Sequence, residues 1–160
     1  MGQLDQKVAV ITGADSGIGR GIALELASAG ATIVINYAHA QDKAEEVRQQ
    51  EDLPMPENVP YCCAKGGMRM LMRTICLELA PYNITVNNIG PGAIDTPIDA
   101  DVKADPKKYK ALLDEIPLHR MGQPEEIGKL ALYLASDAAA YVTGSTFFID
   151  GGLMRNTGGL

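Results

Sequence analysis

Several residue types are scarce or missing in this 160-residue chain. It has no tryptophan and only three cysteines, two of which, Cys62 and Cys63, are adjacent. An odd count with this spacing provides neither a disulfide framework nor a metal-binding spacing, and it is typical of a reducing compartment. No apolar run is long enough to cross a bilayer, and the first residues lack the basic and apolar regions of a signal peptide. We therefore expect a cytoplasmic chain with no membrane partner and no bound metal.

Basic residues are also in the minority. There are 14 lysines and arginines against 20 aspartates and glutamates, which gives a formal net charge of -6. This balance argues against nucleic acid or an anionic membrane surface as the main partner. Hydrophobic residues make up 46% of the chain, so it is globular and long enough for one domain, residues 1–160, with a core of its own.

A glycine-rich stretch follows the first apolar run. Residues 7–12 are apolar and rich in β-branched side chains, which predicts a buried parallel strand. Gly13, Gly17 and Gly19 come next, and a helical apolar pattern then continues to Gly30. Glycines between a strand and a helix let the backbone turn tightly and approach a pyrophosphate, which the helix amino terminus attracts. The pattern predicts a nucleotide site here, with a plain turn as the alternative.

The end of the second strand bears on the choice of cofactor. Residues 31–37 predict this strand, and Asn36, Tyr37 and Ala38 stand at its end. In dinucleotide folds an acidic residue at this place holds the adenine ribose hydroxyls, whereas a 2′-phosphate requires that the acid be absent or a base present. The missing acid slightly favours NADP. There is no arginine either, so NAD stays open.

Tyr61 and Lys65 are four residues apart in a segment with helical patterning, so they share one helix face. A free tyrosine has a pKa of about 10, and a nearby ammonium lowers it by favouring the phenolate. Such a tyrosine can exchange a proton with an alcohol or carbonyl oxygen. The alternative is a structural pair without chemistry.

The remaining elements alternate between helix and strand. Residues 41–50 predict an exposed helix, and the prolines in residues 51–60 predict a loop. A long amphipathic helix then runs from Tyr61 to near Pro81, with these core positions: Met68, Leu71, Met72, Ile75 and Leu79. Two more strands are expected at residues 84–89 and 146–149, and helices begin at Pro106 and Pro124. This alternation predicts an α/β domain with a parallel sheet.

Taken together, these motifs resemble the short-chain dehydrogenase/reductase family. Residues 12–19 match its cofactor motif TGxxxGIG, and Tyr61 with Lys65 match its YxxxK pair. Residues 88–92, 122–127 and 141–152 resemble its carboxyl-terminal segments, and residues 61–68 and 90–98 look most like the glucose 1-dehydrogenases within it. The resemblance implies a Rossmann-like, doubly wound parallel sheet and an NAD(P)-dependent oxidoreductase acting on small alcohols or carbonyls. Members are usually homotetramers.

The resemblance also implies roles for individual residues. Tyr61 would take the hydroxyl proton, and Lys65 would hold the nicotinamide ribose. Residues 93–117 would form a mobile substrate lid. The implied cofactor-binding residues are Gly13, Asp15, Ser16, Gly17, Ile18, Gly19, Asn36, Tyr61, Lys65, Pro91, Gly92, Ile94 and Thr96.

The chain departs from the family's pattern in its middle. Strands 3, 4 and 5 of the family's sheet are missing, which is on the order of 90 residues at roughly 30 per βαβ unit. The family's Asn-Ala-Gly segment and its catalytic serine are missing too, and no serine occurs between Ser28 and Ser136. We expect an incomplete sheet in which the first strand pairs directly with the strand at 84–89. In the family's strand numbers this order is 2-1-6-7, where strands 6 and 7 are the predicted strands at 84–89 and 146–149.

Three alternatives remain beside a glucose 1-dehydrogenase-like activity. One is another substrate within the family, such as a 3-oxoacyl thioester. The second is a catalytically dead variant that binds cofactor or forms heteromers, which the missing serine favours. In the third, the shortened chain does not fold, and its exposed apolar faces cause aggregation.

Overall fold

The computed structural model describes residues 2–36 and 59–155 of the chain. In its amino-terminal part, strand β1 (Val8–Thr12), helix α1 (Gly17–Ser28) and strand β2 (Thr32–Asn36) follow one another. The strands are parallel, and the register runs from Val8 opposite Thr32 to Thr12 opposite Asn36. Both strands and the helix between them lie within one residue or two of their predicted bounds. The predicted helix at 41–50 and most of the predicted loop at 51–60 lie outside the described residues.

The carboxyl-terminal part of the described residues contains four more α-helices and two more strands. In chain order they are α2 (Val59–Leu79), β3 (Asn88–Pro91), α3 (Ala100–Ala104), α4 (Pro106–Glu115), α5 (Pro124–Ala135) and β4 (Thr146–Ile149). Strands β3 and β4 are also parallel, with Asn88 opposite Thr146 and Pro91 opposite Ile149. Within the described ranges, no helix is both long and apolar enough to cross a membrane.

Two helices begin at the predicted prolines and are capped there. Asp105 accepts hydrogen bonds from the backbone N–H groups of Lys107 and Lys108, and Pro106 occupies the first position of α4. At α5, Gln123 and Glu126 form a reciprocal capping box ahead of Pro124 and the first turn. Each cap satisfies backbone donors that have no partner inside the helix, so both boundaries follow from local chemistry.

The third strand is shifted relative to its prediction. It was expected at 84–89 but spans Asn88–Pro91. The residues before it do not form a regular ladder: Val86 donates its N–H to Thr143 Oγ1 and accepts from the Gly144 N–H, and the Asn87 side-chain amide donates to the Val142 carbonyl. Pro91 still fits at the strand's end, because a proline without an N–H is tolerated where the ladder stops.

The expected strand order 2-1-6-7 is wrong. The described residues form two separate two-stranded sheets, β1–β2 and β3–β4, and β1 does not pair with β3. The two pairs are joined through helices instead, since α5 packs against α1 and also contacts β3. Parallel strand pairs connected by helices are what an incomplete, doubly wound Rossmann-like sheet leaves when its central strands are missing, and this confirms the predicted fold class.

One face of β1–β2 is covered and the other is open. Leu4, Leu26 and Ala31 form the buried cluster on the covered face, and Leu132 of α5 packs against it. On the opposite face Val8 and Val10 are 66% and 69% exposed, so the prediction that β1 is fully buried is wrong. A parallel sheet is normally covered on both faces by its crossover helices, and here the described helices cover only one.

Helix α2 departs from its predicted amphipathic packing. Met72 is buried as expected, together with Cys76, but Met68 and Leu71 are 55% and 57% exposed. The assignment of these last two residues to the core is therefore wrong. The described elements thus leave part of the apolar side of this helix of 21 residues uncovered. The helix also begins at Val59, inside the predicted loop, because a proline at position 60 is tolerated in a first turn.

Candidate functional site

The glycine loop after β1 has a backbone that only glycine accommodates well. Gly13 and Gly17 have φ angles of +65° and +51°, in the left-handed region that side chains with a Cβ rarely adopt. A Cβ added at Gly19 would collide with the carbonyl oxygen of Gly13. The loop is therefore closed tightly on itself between the strand and the helix, and Asp15 and Ser16 lie exposed on it.

The amino end of α1 leaves backbone donors without a side-chain cap. Ser16 occupies the cap position with an extended backbone, and its side chain makes no capping hydrogen bond. The first turn of α1, which the structure describes completely, contains no acidic residue. Free N–H groups and the positive end of the helix dipole therefore face outward together, which is the arrangement that binds phosphate. A cofactor pyrophosphate fits this donor set.

Thr96 lies against the glycine loop although 79 positions separate it from Gly17. A Cβ added at Gly17 would be 3.5 Å from Thr96 Cγ2, which is ordinary van der Waals contact. Thr96 is itself fixed, because its N–H and hydroxyl both donate to Asp99 Oδ2, at 3.3 and 2.8 Å. The structure thus brings together two motifs that the sequence places far apart.

The segment that leads to Thr96 is held by close backbone packing. Gly92 donates its N–H to the Ile149 carbonyl, and a Cβ added at Gly92 would be 2.6 Å from Asp150 Cα. Ile94 is only 5% exposed. Its neighbours are hydrogen-bonded to Gly122, since the Gly122 N–H donates to Ala93 O and the Asp95 N–H donates to Gly122 O. Residues 88–96 therefore have a fixed path past the ends of β3 and β4.

A small cavity of about 80 Å³ opens beside this segment. Ile94, Leu118 and Ile149 provide its apolar wall. Arg120 and Glu126 line its polar side and form a bidentate ion pair. Arg120 Nη1 donates to Glu126 Oε2 at 2.8 Å, and Arg120 Nη2 donates to Glu126 Oε1 at 2.7 Å. These hydrogen bonds from Arg120, with a further one from the Gln123 N–H, lower the pKa of Glu126 to about 2. The pair therefore stays ionised at neutral pH.

The remaining predicted site residues occupy two other places. Asn36 is the last residue of β2 and lies opposite Thr12, directly beside the start of the glycine loop. Tyr61 and Lys65 lie in the first two turns of α2, one helical turn apart. Lys65 is partly buried, and the Tyr61 side chain lies outside the described residues. The glycine loop and Thr96, by contrast, meet directly.

Three glycines that hold this arrangement together were missed by the sequence interpretation: Gly21, Gly122 and Gly128. A Cβ at Gly21 would be 2.6 Å from the Pro124 carbonyl oxygen, and one at Gly128 would be 2.8 Å from the Gly21 carbonyl oxygen. A signal was available, because Gly21 and Gly128 interrupt helical patterns and an interior helix glycine often marks close packing.

Comparisons with known proteins cover most of the chain. A family model described as short chain dehydrogenase matches residues 7–53. A model described as Enoyl-(Acyl carrier protein) reductase matches residues 50–154, which is more than half of the chain. The two matches meet at residues 50–53, just before α2.

Curated relatives and a solved structure agree with these models. Over 103 residues the chain is 46% identical to 3beta-hydroxysteroid dehydrogenase 1 of Eggerthella lenta, and it is 42% identical over 103 residues to glucose 1-dehydrogenase 2 of Bacillus subtilis. Each match includes 64% of this chain and 40% of the relative, so the chain spans about 40% of the length of these relatives.

The structure of a gluconate 5-dehydrogenase from Burkholderia cenocepacia, in complex with NADP and tartrate, superposes with a TM-score of 0.81 at 24% identity. The superposition covers 95% of this chain and 96% of that one, and it supports the fold. The glycine loop, the parallel strand pairs and both family matches lead to one conclusion: the chain belongs to the short-chain dehydrogenase/reductase family.

Proposed function

We propose that this chain binds a nicotinamide dinucleotide and acts as an oxidoreductase on a small alcohol or carbonyl compound, with a sugar as the preferred substrate class. The observation that supports this proposal best is the uncapped amino end of α1, which lies behind a tight glycine loop and against Thr96. Its free N–H groups suit a pyrophosphate.

NADP is the cofactor we propose in preference to NAD. Strand β2 ends at Asn36, beside the glycine loop, and Tyr37 and Ala38 follow it in the sequence. A carboxylate here would bond the ribose hydroxyls of NAD and repel the 2′-phosphate of NADP. An amide in its place removes that repulsion, so both cofactors are accepted and NADP is bound more tightly.

The proposed chemistry places Tyr61 and Lys65 at the reacting oxygen. The bound nicotinamide supplies the hydride acceptor or donor. Tyr61 exchanges the proton of the substrate hydroxyl, and the Lys65 ammonium favours the phenolate and holds a ribose hydroxyl. No serine lies between Ser28 and Ser136, so the hydrogen-bond donor that the family places before the tyrosine is missing. Losing one such donor typically costs about 10²–10³ in rate, and we propose a correspondingly slow turnover.

A sugar is favoured as the substrate by similarity to one group of relatives. Residues 61–68 and 90–98 resemble glucose 1-dehydrogenases, and one such enzyme from Bacillus subtilis is 42% identical over 103 residues. A hydroxysteroid dehydrogenase is 46% identical over a stretch of the same length, so glucose and a 3β-hydroxysteroid are the two substrates to compare.

We also propose that the chain assembles with itself, since α2 leaves Met68, Leu71 and Leu77 more than half exposed.

The first test is thermal unfolding of the 160-residue chain with and without NADPH and NADH. A ligand at 100 times its Kd adds about 2.7 kcal/mol to stability, so NADPH should raise the midpoint of a cooperative transition, and NADH should raise it less. Gly17→Ala strains a φ of +51° and should abolish the shift. Gly67→Ala is the matched control, because a Cβ there meets nothing within 4 Å.

Turnover is then measured by NADPH formation with glucose and with a 3β-hydroxysteroid. Glucose should give the higher rate, and Tyr61→Phe should abolish it while the NADPH-induced stabilisation remains. Stabilisation by NADPH without turnover of either substrate would leave a cofactor-binding chain and overturn the oxidoreductase proposal. A transition that ignores both cofactors would overturn the binding proposal as well.

A further inference from the structure

Helices α1 and α5 cross at two glycines. A Cβ at Gly21 would be 2.6 Å from the carbonyl oxygen of Pro124, and a Cβ at Gly128 would be 2.8 Å from the carbonyl oxygen of Gly21. Glycines at such a crossing allow two backbones to approach more closely than side chains with a Cβ permit. Because the opposing atoms include backbone carbonyl oxygens at both positions, beside Glu25 Cγ at Gly128, any larger residue has to push the helices apart. Both glycines are buried in this contact.

The start of α5 is in turn tied to the segment before Thr96. Gly122 and residues 93–95 exchange two backbone hydrogen bonds, Gly122 N–H to Ala93 O at 2.9 Å and Asp95 N–H to Gly122 O at 2.8 Å. The ion pair between Arg120 and Glu126 stabilises the start of α5 next to Gly122, because Glu126 also accepts a hydrogen bond from the Gln123 N–H at the helix cap. A displacement of α5 is therefore passed on to Ala93 and Asp95.

These contacts close a circuit around the proposed cofactor site. It runs from the glycine loop along α1 to Gly21, across to α5, through Gly122 to residues 93–95, and back from Thr96 to Gly17. The two strand pairs do not hydrogen-bond to each other within the described residues. The separation between the glycine loop and Thr96 therefore depends on the helix crossing and not on a continuous sheet.

We infer that Gly128, with Gly21, is a positioning residue: the close crossing of α1 and α5 sets the place of residues 93–96 beside the glycine loop, and thereby the affinity for the nicotinamide half of the cofactor. The inference rests on the proposed function. The adenosine half depends on the glycine loop itself and is bound independently of the crossing. A larger residue at Gly128 should therefore weaken binding of the nicotinamide half and leave binding of the adenosine half unchanged.

The test measures dissociation constants of the Gly128→Ala chain for NADPH and for adenosine 2′,5′-bisphosphate, which lacks the nicotinamide half. The Kd for NADPH should rise about tenfold, since a misplacement of less than 1 Å already weakens such contacts, and the Kd for the bisphosphate should equal that of the wild type. Gly67→Ala makes the same change inside α2 without a close neighbour and should alter neither constant.

A purely structural role predicts a different pattern. If Gly128→Ala weakens both ligands equally, or weakens neither, the inference is overturned while the proposed function stands. If the wild-type chain binds neither ligand, the proposed function fails first and the inference fails with it.

A second variant covers the case in which Gly128→Ala does not fold. Gly122→Ala places a Cβ 2.7 Å from Ile94 Cδ1, a terminal methyl group that can move, so the fold should be retained. Ile94 is buried within residues 93–96, so its side chain has to shift inside that segment, and the variant should also weaken NADPH binding while leaving the bisphosphate unchanged. Equal affinities of Gly122→Ala and wild type for NADPH would overturn the inference.

Discussion

Two regions of this molecule are packed very differently. The first, called here the α1 unit, consists of residues 2–36, which contain β1, α1 and β2, together with α5; it buries Leu4 and Ile127 to 2% and 1% exposure. The second, called the α2 unit, consists of α2, β3 and β4; it buries Met72 but leaves Leu77 76% exposed. The glycine loop belongs to the first unit, and Tyr61 with Lys65 belongs to the second.

The difference shows which motif depends on its surroundings. The glycine loop is a local strand–turn–helix feature that lies against Thr96, and α5 packs against the helix that follows it. Helix α2 is long, and burying its apolar side requires packing partners along its whole length, yet Met68, Leu71 and Leu77 are exposed. Loss of the central strands therefore affects the proposed proton-transfer pair more than the proposed phosphate site.

The largest expected effect is in the α1 unit. Leu26 is 6% exposed in the buried cluster, so Leu26→Ala should destabilise the chain by about 2–5 kcal/mol, because it leaves a cavity. Leu24→Ala is a matched control on the same helix, at a side chain that is 49% exposed, and it should cost far less. Urea unfolding followed by circular dichroism measures both. Equal losses for the two variants would mean that the buried cluster does not dominate stability.

The next effect compares the two long helices directly. Amide hydrogens in the interior of α1 should exchange with deuterium more slowly than those of residues 63–71 in α2, by on the order of tenfold or more, because local opening of α2 exposes little additional apolar surface. Native-state exchange read by mass spectrometry of peptides gives both rates in one experiment. If the amides of residues 63–71 are protected as strongly as those of α1, then α2 packs in solution against a partner that covers its exposed side.

How far the sequence predicted these regions also differs between them. The strands of the α1 unit, the glycine turn and the helix starts at Pro106 and Pro124 follow from local patterns, and the structure has them within a residue or two. The full burial of β1 and the core positions at Met68 and Leu71 were wrong, since both depend on which elements cover a face. Turns and helix starts are determined by a few neighbouring residues, whereas the burial of a helix or strand face depends on how all the elements pack together.

The site divides in the same way. The residues of the glycine loop could be identified from their spacing, but the contact between Gly17 and Thr96 could be anticipated only through the family resemblance. The crossing at Gly21 and Gly128 was missed because the pairing of two particular helices is not encoded in either helix alone. The roles of Tyr61, Lys65 and the cofactor-binding residues stay predictions.

A smaller effect is expected for the ion pair between Arg120 and Glu126 at the start of α5. The folded-state pKa of Glu126 is lowered to about 2, chiefly by the hydrogen bonds from Arg120. A depressed carboxylate pKa stabilises the fold above the unfolded pKa, and this stabilisation is lost as the pH falls from about 4.5 towards 2. Because the pair is partly exposed, its contribution should be at most about 1 kcal/mol.

Glu126→Gln should therefore reduce the free energy of unfolding at neutral pH and flatten its fall between about pH 4.5 and about pH 2. Glu125→Gln removes a charge from the same first turn of α5 and serves as the control. Urea unfolding of both variants at each pH measures the change. A pH profile of Glu126→Gln that parallels the wild type would mean that the ion pair does not couple to folding.

The smallest expected effect is on the exposed side of α2. Leu77 is 76% exposed, so Leu77→Gln should change the free energy of unfolding by no more than about 0.5 kcal/mol, because no packed contact is lost. Met72→Gln, five residues earlier at a position 4% exposed, should destabilise the chain strongly by burying an amide. Light scattering should show less self-association for Leu77→Gln, since it removes exposed apolar surface. A large loss of stability at Leu77 would instead place that side chain in an interface that supports the fold, and the contrast between the two units would then describe the isolated chain and not its assembly.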